Sequence, residues 1–285
     1  MTQNSATASD CLREARFFEP AQAALHSAAK PDTCKLEVRW ASCEEDVRQA
    51  QRLRYRVFAQ EMGAHLTPPA GTPPDVDADY FDPFCDHLLV SAGGAGNAIL
   101  VGTYRVLPPW AAKRAGGLYI DTEFDLAPLA SLRAQAVELG RSCVHPEWRS
   151  GGVIMALWTA LGEYMLEHGL DTMIGCASVR LGNADDTGEG GQPAEKLWRH
   201  LRHTHLVASH WQVSPRCPLP IGSLAESCVG NDHVVTPPLI KGYLRCGAKL
   251  LGPPALDRAF NTADLPMMLR TSELVPRYRQ HFLGA

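Results

Sequence analysis

The stretch AVELGRSCVHPEWRSGG at 136–152 constrains the fold of this chain more than any other. It reads as an apolar, β-branched strand running into Arg149-Ser150-Gly151-Gly152. The apolar helix VIMALWTALGEYMLEHGL follows, and then a second buried strand, DTMIGCASV. A strand that hands a Gly-rich loop to a helix N-terminus makes a cradle for an anion. Small residues let the backbone approach, and unpaired N–H groups with the helix dipole favour negative charge. Glu138, upstream on the strand, can meet a substrate there.

The rest of the chain supplies the partners of this unit. Leu36–Ala41 alternates like a strand. Ser42-Cys43-Glu44-Glu45 opens a helix that runs to about Met62, with Val47, Ala50, Leu53, Val57 and Phe58 on one face. Residues 65–84 are rich in Pro and Asp and form a loop. Cys85–Ala92 and Ala98–Leu107 make a hairpin across a Gly-rich turn, and a loop with a short helix near 125–135 follows. The spacing predicts a helix over 193–206, another over 237–248 with Pro at its start and Gly at its end, and closing strands at 249–257 and 264–270. This order gives a mixed α/β sheet with helices on both faces. Residues 1–35 are expected to be a mobile arm. Residues 36–285 are expected to be one domain with an insertion at about 180–236.

The net charge of −4 argues against non-specific nucleic-acid binding. No apolar run reaches the roughly 18 residues of a bilayer span. The N-terminal residues carry no apolar signal core, and the 9 cysteines stand singly without a CxxC pair. The expected location is therefore cytoplasmic, with peripheral membrane contact left open. His200, His203, His205 and His210 stand near Arg199 and Arg202, but no metal set is completed around them. A solvated helix face or a basic docking face are the other readings of that segment.

Segments LRYRVFAQEMG (53–63), DYFDPFCDHLLV (79–90), VGTYRVL (101–107), ELGRSCVHPEWRSGGVIMALW (138–158) and IGCASV (174–179) resemble the GNAT-type N-acyltransferases. The resemblance is to the branch that holds acyl-homoserine lactone synthases and the ornithine-lipid (L-ornithine N-alpha-acyltransferase) family. GYLRCGAKL and FNTADL near the C-terminus add to it. The branch pattern falls on Arg54 and Phe58, Asp79 and Asp82, Arg105, and Glu138 with Arg141. A Trp that lactone synthases carry after the first helix is replaced here by Met62-Gly63-Ala64. CDHLLV and SCVHPEWRSGG resemble the ornithine-lipid branch. Ile154 stands where ordinary acetyltransferases keep a small residue, which suits phosphopantetheine on a carrier protein better than acetyl-coenzyme A.

The resemblance implies a GNAT acyl-CoA N-acyltransferase-like fold and no resident cofactor. It implies transfer of a 3-hydroxyacyl chain from the phosphopantetheine thioester of acyl carrier protein to the α-amino group of ornithine. Aminolysis of a thioester needs a neutral amine and a polarised carbonyl. With an α-ammonium pKa near 8, a base helps at neutral pH. Glu138 is the candidate base, oriented by Arg141 across a bulge at Gly140. The alternative is a structural carboxylate paired with Arg141. Backbone N–H groups near Cys143 and Val144 would polarise the carbonyl, with Cys143 itself a small buried residue. Arg149, Ser150, Gly151 and Gly152 would seat the donor, and Trp148 would pack on the pantetheine arm or the core. Arg54, Phe58, Asp79, Asp82, Asp86 and Arg105 either hold the amino acid or form an internal ion-pair network. Tyr243 occupies a helix where many GNAT enzymes place a thiolate-protonating tyrosine, and a core role is the other reading. Leu88, Val90, Val101 and Ile174 are expected to line the acyl pocket. Three competing functions are a lactone synthase using S-adenosylmethionine, an acyltransferase for glycine or lysine, and a non-catalytic module that binds acyl carriers.

Overall fold

The computed structural model describes residues 35–94, 97–182, 191–220 and 234–283, so the expected N-terminal arm lies outside the described residues. The first strand, β1 (Leu36–Trp40), leads into helix α1 (Glu44–Tyr55). Acidic residues fill the first turn of α1 and Arg52 and Arg54 its last, which complements the helix dipole. Asp46 reaches back to accept from the Ser42 backbone N–H at 2.9 Å. The helix expected to run to about Met62 changes at Arg56–Glu61 to a π-turn. Such a turn re-aims side chains within a helix and is frequent at functional sites.

Strands β2 (Asp86–Ala92) and β3 (Ile99–Leu107) form the expected hairpin. A short helix, α2 (Pro109–Arg114), and a 3₁₀ turn at Tyr119–Thr122 follow. The helix expected near 125–135 is instead a two-residue strand, β4 (Phe124–Asp125), and a 3₁₀ turn at Ala127–Leu129. Pro128 at the start of that turn and too few periodic apolar positions leave no helix to build. The central unit is β5 (Ala136–Val144), α3 (Gly152–Glu167) and β6 (Thr172–Arg180). Then come α4 (Gln192–His205), β7 (Ser214–Pro215), α5 (Pro238–Cys246), β8 (Lys249–Leu250), β9 (Ala255–Asp257), β10 (Thr262–Arg270) and α6 (Pro276–Leu283).

Strands β1-β2-β3-β5-β6-β10-β8 lie in that order in one sheet, with β9 also on β10. Every pairing in it is antiparallel except that of β5 with β6. That parallel pair is joined by the α3 crossover. It is also short: only Ala136, Val137 and Glu138 pair, with Thr172, Met173 and Ile174. Beyond Glu138 the two strands part and the sheet forks. β6 stays paired with β10 from Thr172 to Arg180, so β5 is the strand whose edge opens.

One face of the sheet is sealed by α3. Its Val153, Leu157, Leu161, Tyr164 and Met165 pack on Leu88, Val90, Val101 and Val106. Each buried side chain of this size contributes about 1.5–3 kcal/mol. Helices α4 and α5 cover the same face further along, over Ala177, Val179, Ala263 and Leu265. The opposite face carries α1 and the loop of residues 77–84. Among the described residues, no helix is long and apolar enough to cross a membrane.

Candidate active site at the sheet fork

Glu138 stands where β5 and β6 part, buried, on the face opposite α3. Its carboxylate accepts from the backbone N–H of Tyr119 at 2.6 Å and of Ile120 at 2.8 Å. Burial pushes its pKa up to about 7, while nearby Arg105 and the two N–H groups pull the other way. A carboxyl poised there can exchange a proton at neutral pH.

Arg141 does not orient it. The bulge lies not at Gly140 but one residue on, where β5 shifts register opposite Tyr104 and Arg141 adopts φ +50°. This turns the Arg141 guanidinium to Asp79 at 3.2 Å and Asp77 at 3.4 Å. It lies over the rings of Tyr119, 4.9 Å from the centroid, and Phe260, 4.5 Å from the centroid.

Arg54, Asp79, Asp82 and Arg105 do converge. Arg54, fully buried, donates to Asp82 through both terminal nitrogens at 2.8 Å and to Asp77 through Nε at 2.9 Å. Arg105 reaches Asp79 at 2.6 Å and Asp82 at 3.1 Å. Burial opposes ionisation of Asp82, but the Arg54 guanidinium outweighs it and holds the carboxyl far below the usual range. Asp79 is lowered likewise, with Arg105 and Arg141 overcoming burial. Asp77 belongs to this set although the sequence reading did not single it out; its signal was its place in the run of aspartates around 75–82. Phe58, on the π-turn, meets Phe260 edge to face at 5.6 Å and so backs the Arg141 platform. Asp86 lies elsewhere: it points to the α3 side and accepts from the Tyr164 hydroxyl at 2.8 Å.

A second acidic group faces Glu138. Glu123, Cys176 and Asp264 place their polar atoms within 4.8 Å of one another. Cys176 donates to Glu123 at 3.3 Å, and Thr262 to Asp264 at 2.9 Å. Burial first, and then Asp264 beside Glu123 and Asp257 beside Asp264, raise both carboxyls. These residues were missed by the sequence reading. The available signal was a lone carboxylate, Asp264, inside the apolar strand TADLPMMLR.

The loop before α3 is a cradle in shape. Gly151 caps the helix at φ 104°, in the left-handed region that glycine tolerates, and no side chain caps the first turn. Ser150 is exposed beside Gly152 at the helix start. Arg149 is tied down, donating to Val144 O at 3.1 Å and to both oxygens of Glu61. Trp148 packs with the core beneath α3. Cys143 is buried against Leu53 and Val57, and burial pushes its thiol up to about 12, which removes it as a nucleophile.

On the α3 side the fork opens into an apolar cavity. Its walls are Tyr104 and Leu139, β6 from Met173 to Ala177, Trp158 and Leu161 of α3, Tyr243 of α5, and Phe282 of α6. Of the expected pocket residues, Ile174 lines it. Leu88, Val90 and Val101 are instead consumed in packing α3. The hydroxyls of Tyr104 and Tyr243 meet at 2.7 Å. Burial raises both pKa values, so both keep their protons.

Comparison with known proteins agrees with this architecture. An acetyltransferase (GNAT) domain model matches residues 53–159. The chain is 35% identical over 277 residues to the L-ornithine N(alpha)-acyltransferase of Rhizobium meliloti, covering 93% of this chain and 90% of that one. It is 36% identical over 263 residues to the enzyme of the same name from Agrobacterium fabrum, covering 87% and 85%. The crystal structure of the AHL synthase LasI shares the fold, with a TM-score of 0.50 and 13% identity over 88% of this chain and 96% of that one. With more than 30% identity over more than four-fifths of both chains, the chain belongs to the L-ornithine N(alpha)-acyltransferase family of GNAT-fold acyltransferases.

Proposed function

We propose that this enzyme moves a (3-hydroxy)fatty acyl group from acyl carrier protein to the α-amino group of L-ornithine, giving lyso-ornithine lipid. The observation that carries the reading is the likeness to L-ornithine N(alpha)-acyltransferases across nine-tenths of the chain. The geometry supports it with two different faces meeting at one fork. On the α3 side, the apolar cavity takes the acyl chain and the uncapped start of α3 takes the phosphate of the pantetheine arm. On the other side, Glu138 and the pair Glu123–Asp264 take a cationic amino acid. Its α-amine lies at Glu138 and its side-chain ammonium at Glu123 and Asp264. Arg141 meets its carboxylate.

In the reaction, Glu138 accepts a proton from the α-ammonium, and the free amine attacks the thioester carbonyl. The C–N bond forms and the C–S bond breaks. Backbone N–H groups on the open edge of β5 stabilise the oxyanion. The nitrogen of the adduct gives up its second proton, which passes through the Tyr243–Tyr104 pair to the departing thiolate, so the thiol leaves. The Arg54–Asp77–Asp82–Arg105 network acts as the frame that holds the loop and Asp79 in place.

Mass spectrometry of the purified protein with 3-hydroxyacyl carrier protein and ornithine, lysine, glycine or S-adenosylmethionine tests this. A lyso-ornithine product lost in Glu138→Ala supports the reading. Preferential acylation of another amine replaces the acceptor.

A further inference from the structure

Trp158 carries a polar atom that nothing among the described residues uses. The indole is locked in place. It stacks on Tyr243 with centroids 5.3 Å apart and meets Phe282 edge to face at 6.2 Å. Room for it is made at Gly242, where a Cβ would lie 2.6 Å from the Trp158 Cη2. Its Nε1–H is buried without a hydrogen-bond partner, in a ring that lines the apolar cavity.

The other lining side chains that bear oxygen are already engaged. Tyr104 and Tyr243 bond each other, and Thr271 donates to Asp171 at 2.8 Å. A buried donor left unpaired loses the hydrogen bonds it made to water and gains none in return. A phenylalanine would fill much of the same space without that cost. A donor so placed is complementary to a guest that brings an acceptor. The cavity offers no charge to balance an anion, so that acceptor is a neutral oxygen. Its height in the cavity is set by Tyr243, whose hydroxyl meets that of Tyr104 opposite the β5 bulge and whose ring stacks on Trp158.

Resting on the reading of this cavity as the acyl seat, we infer that Trp158 is a specificity-determining residue. Its Nε1–H donates to the hydroxyl oxygen of an acyl chain hydroxylated near its thioester end, and so favours that chain over the unsubstituted one.

Two measurements test this. In ¹⁵N-tryptophan-labelled wild-type protein, the Trp158 Nε1–H resonance is identified by its NOE to the Tyr243 ring. Addition of 3-hydroxytetradecanoic acid moves it downfield, while tetradecanoic acid leaves it nearly in place. In turnover, wild type prefers 3-hydroxytetradecanoyl over tetradecanoyl carrier protein by roughly tenfold in kcat/KM, and Trp158→Phe loses that preference mainly on the hydroxylated donor. Equal shifts with both acids, no shift with either, or an unchanged preference in Trp158→Phe overturns the inference. Selective NMR shifts without acylation of ornithine would keep Trp158 and remove the proposed acceptor. Acylation of ornithine with no discrimination between donors would do the reverse.

Discussion

Arg149, at the mouth of the donor cradle, faces Glu61 on the π-turn as a two-pronged ion pair, Nη1–Oε1 2.6 Å and Nη2–Oε2 2.7 Å. The pair bridges the loop before α3 and the turn that carries Phe58. On the proposed reading of this cradle, an incoming phosphate and Glu61 compete for the same guanidinium.

Both side chains are more than a third exposed, and an exposed pair contributes at most about 1 kcal/mol. Glu61→Gln should accordingly lower the KM for the acyl donor by about two- to fivefold, with kcat little changed. Arg149→Gln should raise that KM by roughly tenfold. Steady-state kinetics with varied donor decide it: a donor KM that stays level or rises in Glu61→Gln sinks the competition.

Glu138 sets the expected pH profile. Its carboxyl must be ionised to take a proton, and burial places its pKa at about 7. The rate at saturating substrates should climb with pH through that value. Glu138→Gln should lower kcat by roughly 10²–10³-fold and abolish the limb. A limb that persists in the variant would assign it to another group.

Glu123 links the proposed acceptor site to stability. A carboxyl whose pKa is raised by folding favours the folded state when protonated. That contribution is full below the usual carboxylate range and is lost as pH rises through the folded value. Glu123→Gln should melt about 2–4 °C higher than the parent at pH 8, for roughly 1 kcal/mol, and the gap should close toward pH 4. The same variant should raise the KM for ornithine by about tenfold. Scanning calorimetry at the two pH values, beside acceptor kinetics, checks both halves. A variant that melts lower at pH 8 would contradict the raised carboxyl.

Arg54 should be the least replaceable side chain on that face. Arg54→Ala leaves Asp77 and Asp82 buried with their main partner gone, a loss of about 3–5 kcal/mol. Urea unfolding measures it, and a loss under 1 kcal/mol would mean that Arg105 and Arg141 compensate.

The sequence showed the central strand–loop–helix–strand because its signals are local: an apolar run, a glycine pair, then helical periodicity. The same signals put Glu138 on its strand, and the resemblance supplied its expected role. The partners of Glu138 and Arg141 were a different matter. Their identities depend on a positive φ at Arg141 and on the 3₁₀ turn at Tyr119–Thr122, folded back from a distant loop. Strand alternation predicts faces but not which loop covers them. Asp86 shows the limit from the other side: a charge beside the motif and one strand position before buried His87, yet turned toward α3. Asp264 is brought to Cys176 and Glu123 only by its register opposite Ser178, two residues from Cys176 on β6.

Helix α6 closes the cavity on α3, where a Cβ on Gly162 would lie 2.6 Å from Phe282 O. The wall at that end is thus written in α6, far in sequence from the residues proposed to handle protons and phosphate. On the proposed reading of the cavity as the acyl seat, capacity and chemistry are separable: changes in α6 alter which chain lengths fit while the reaction stays the same. Chimeras that exchange α6 between relatives should shift the product length distribution and leave the pH profile where it was.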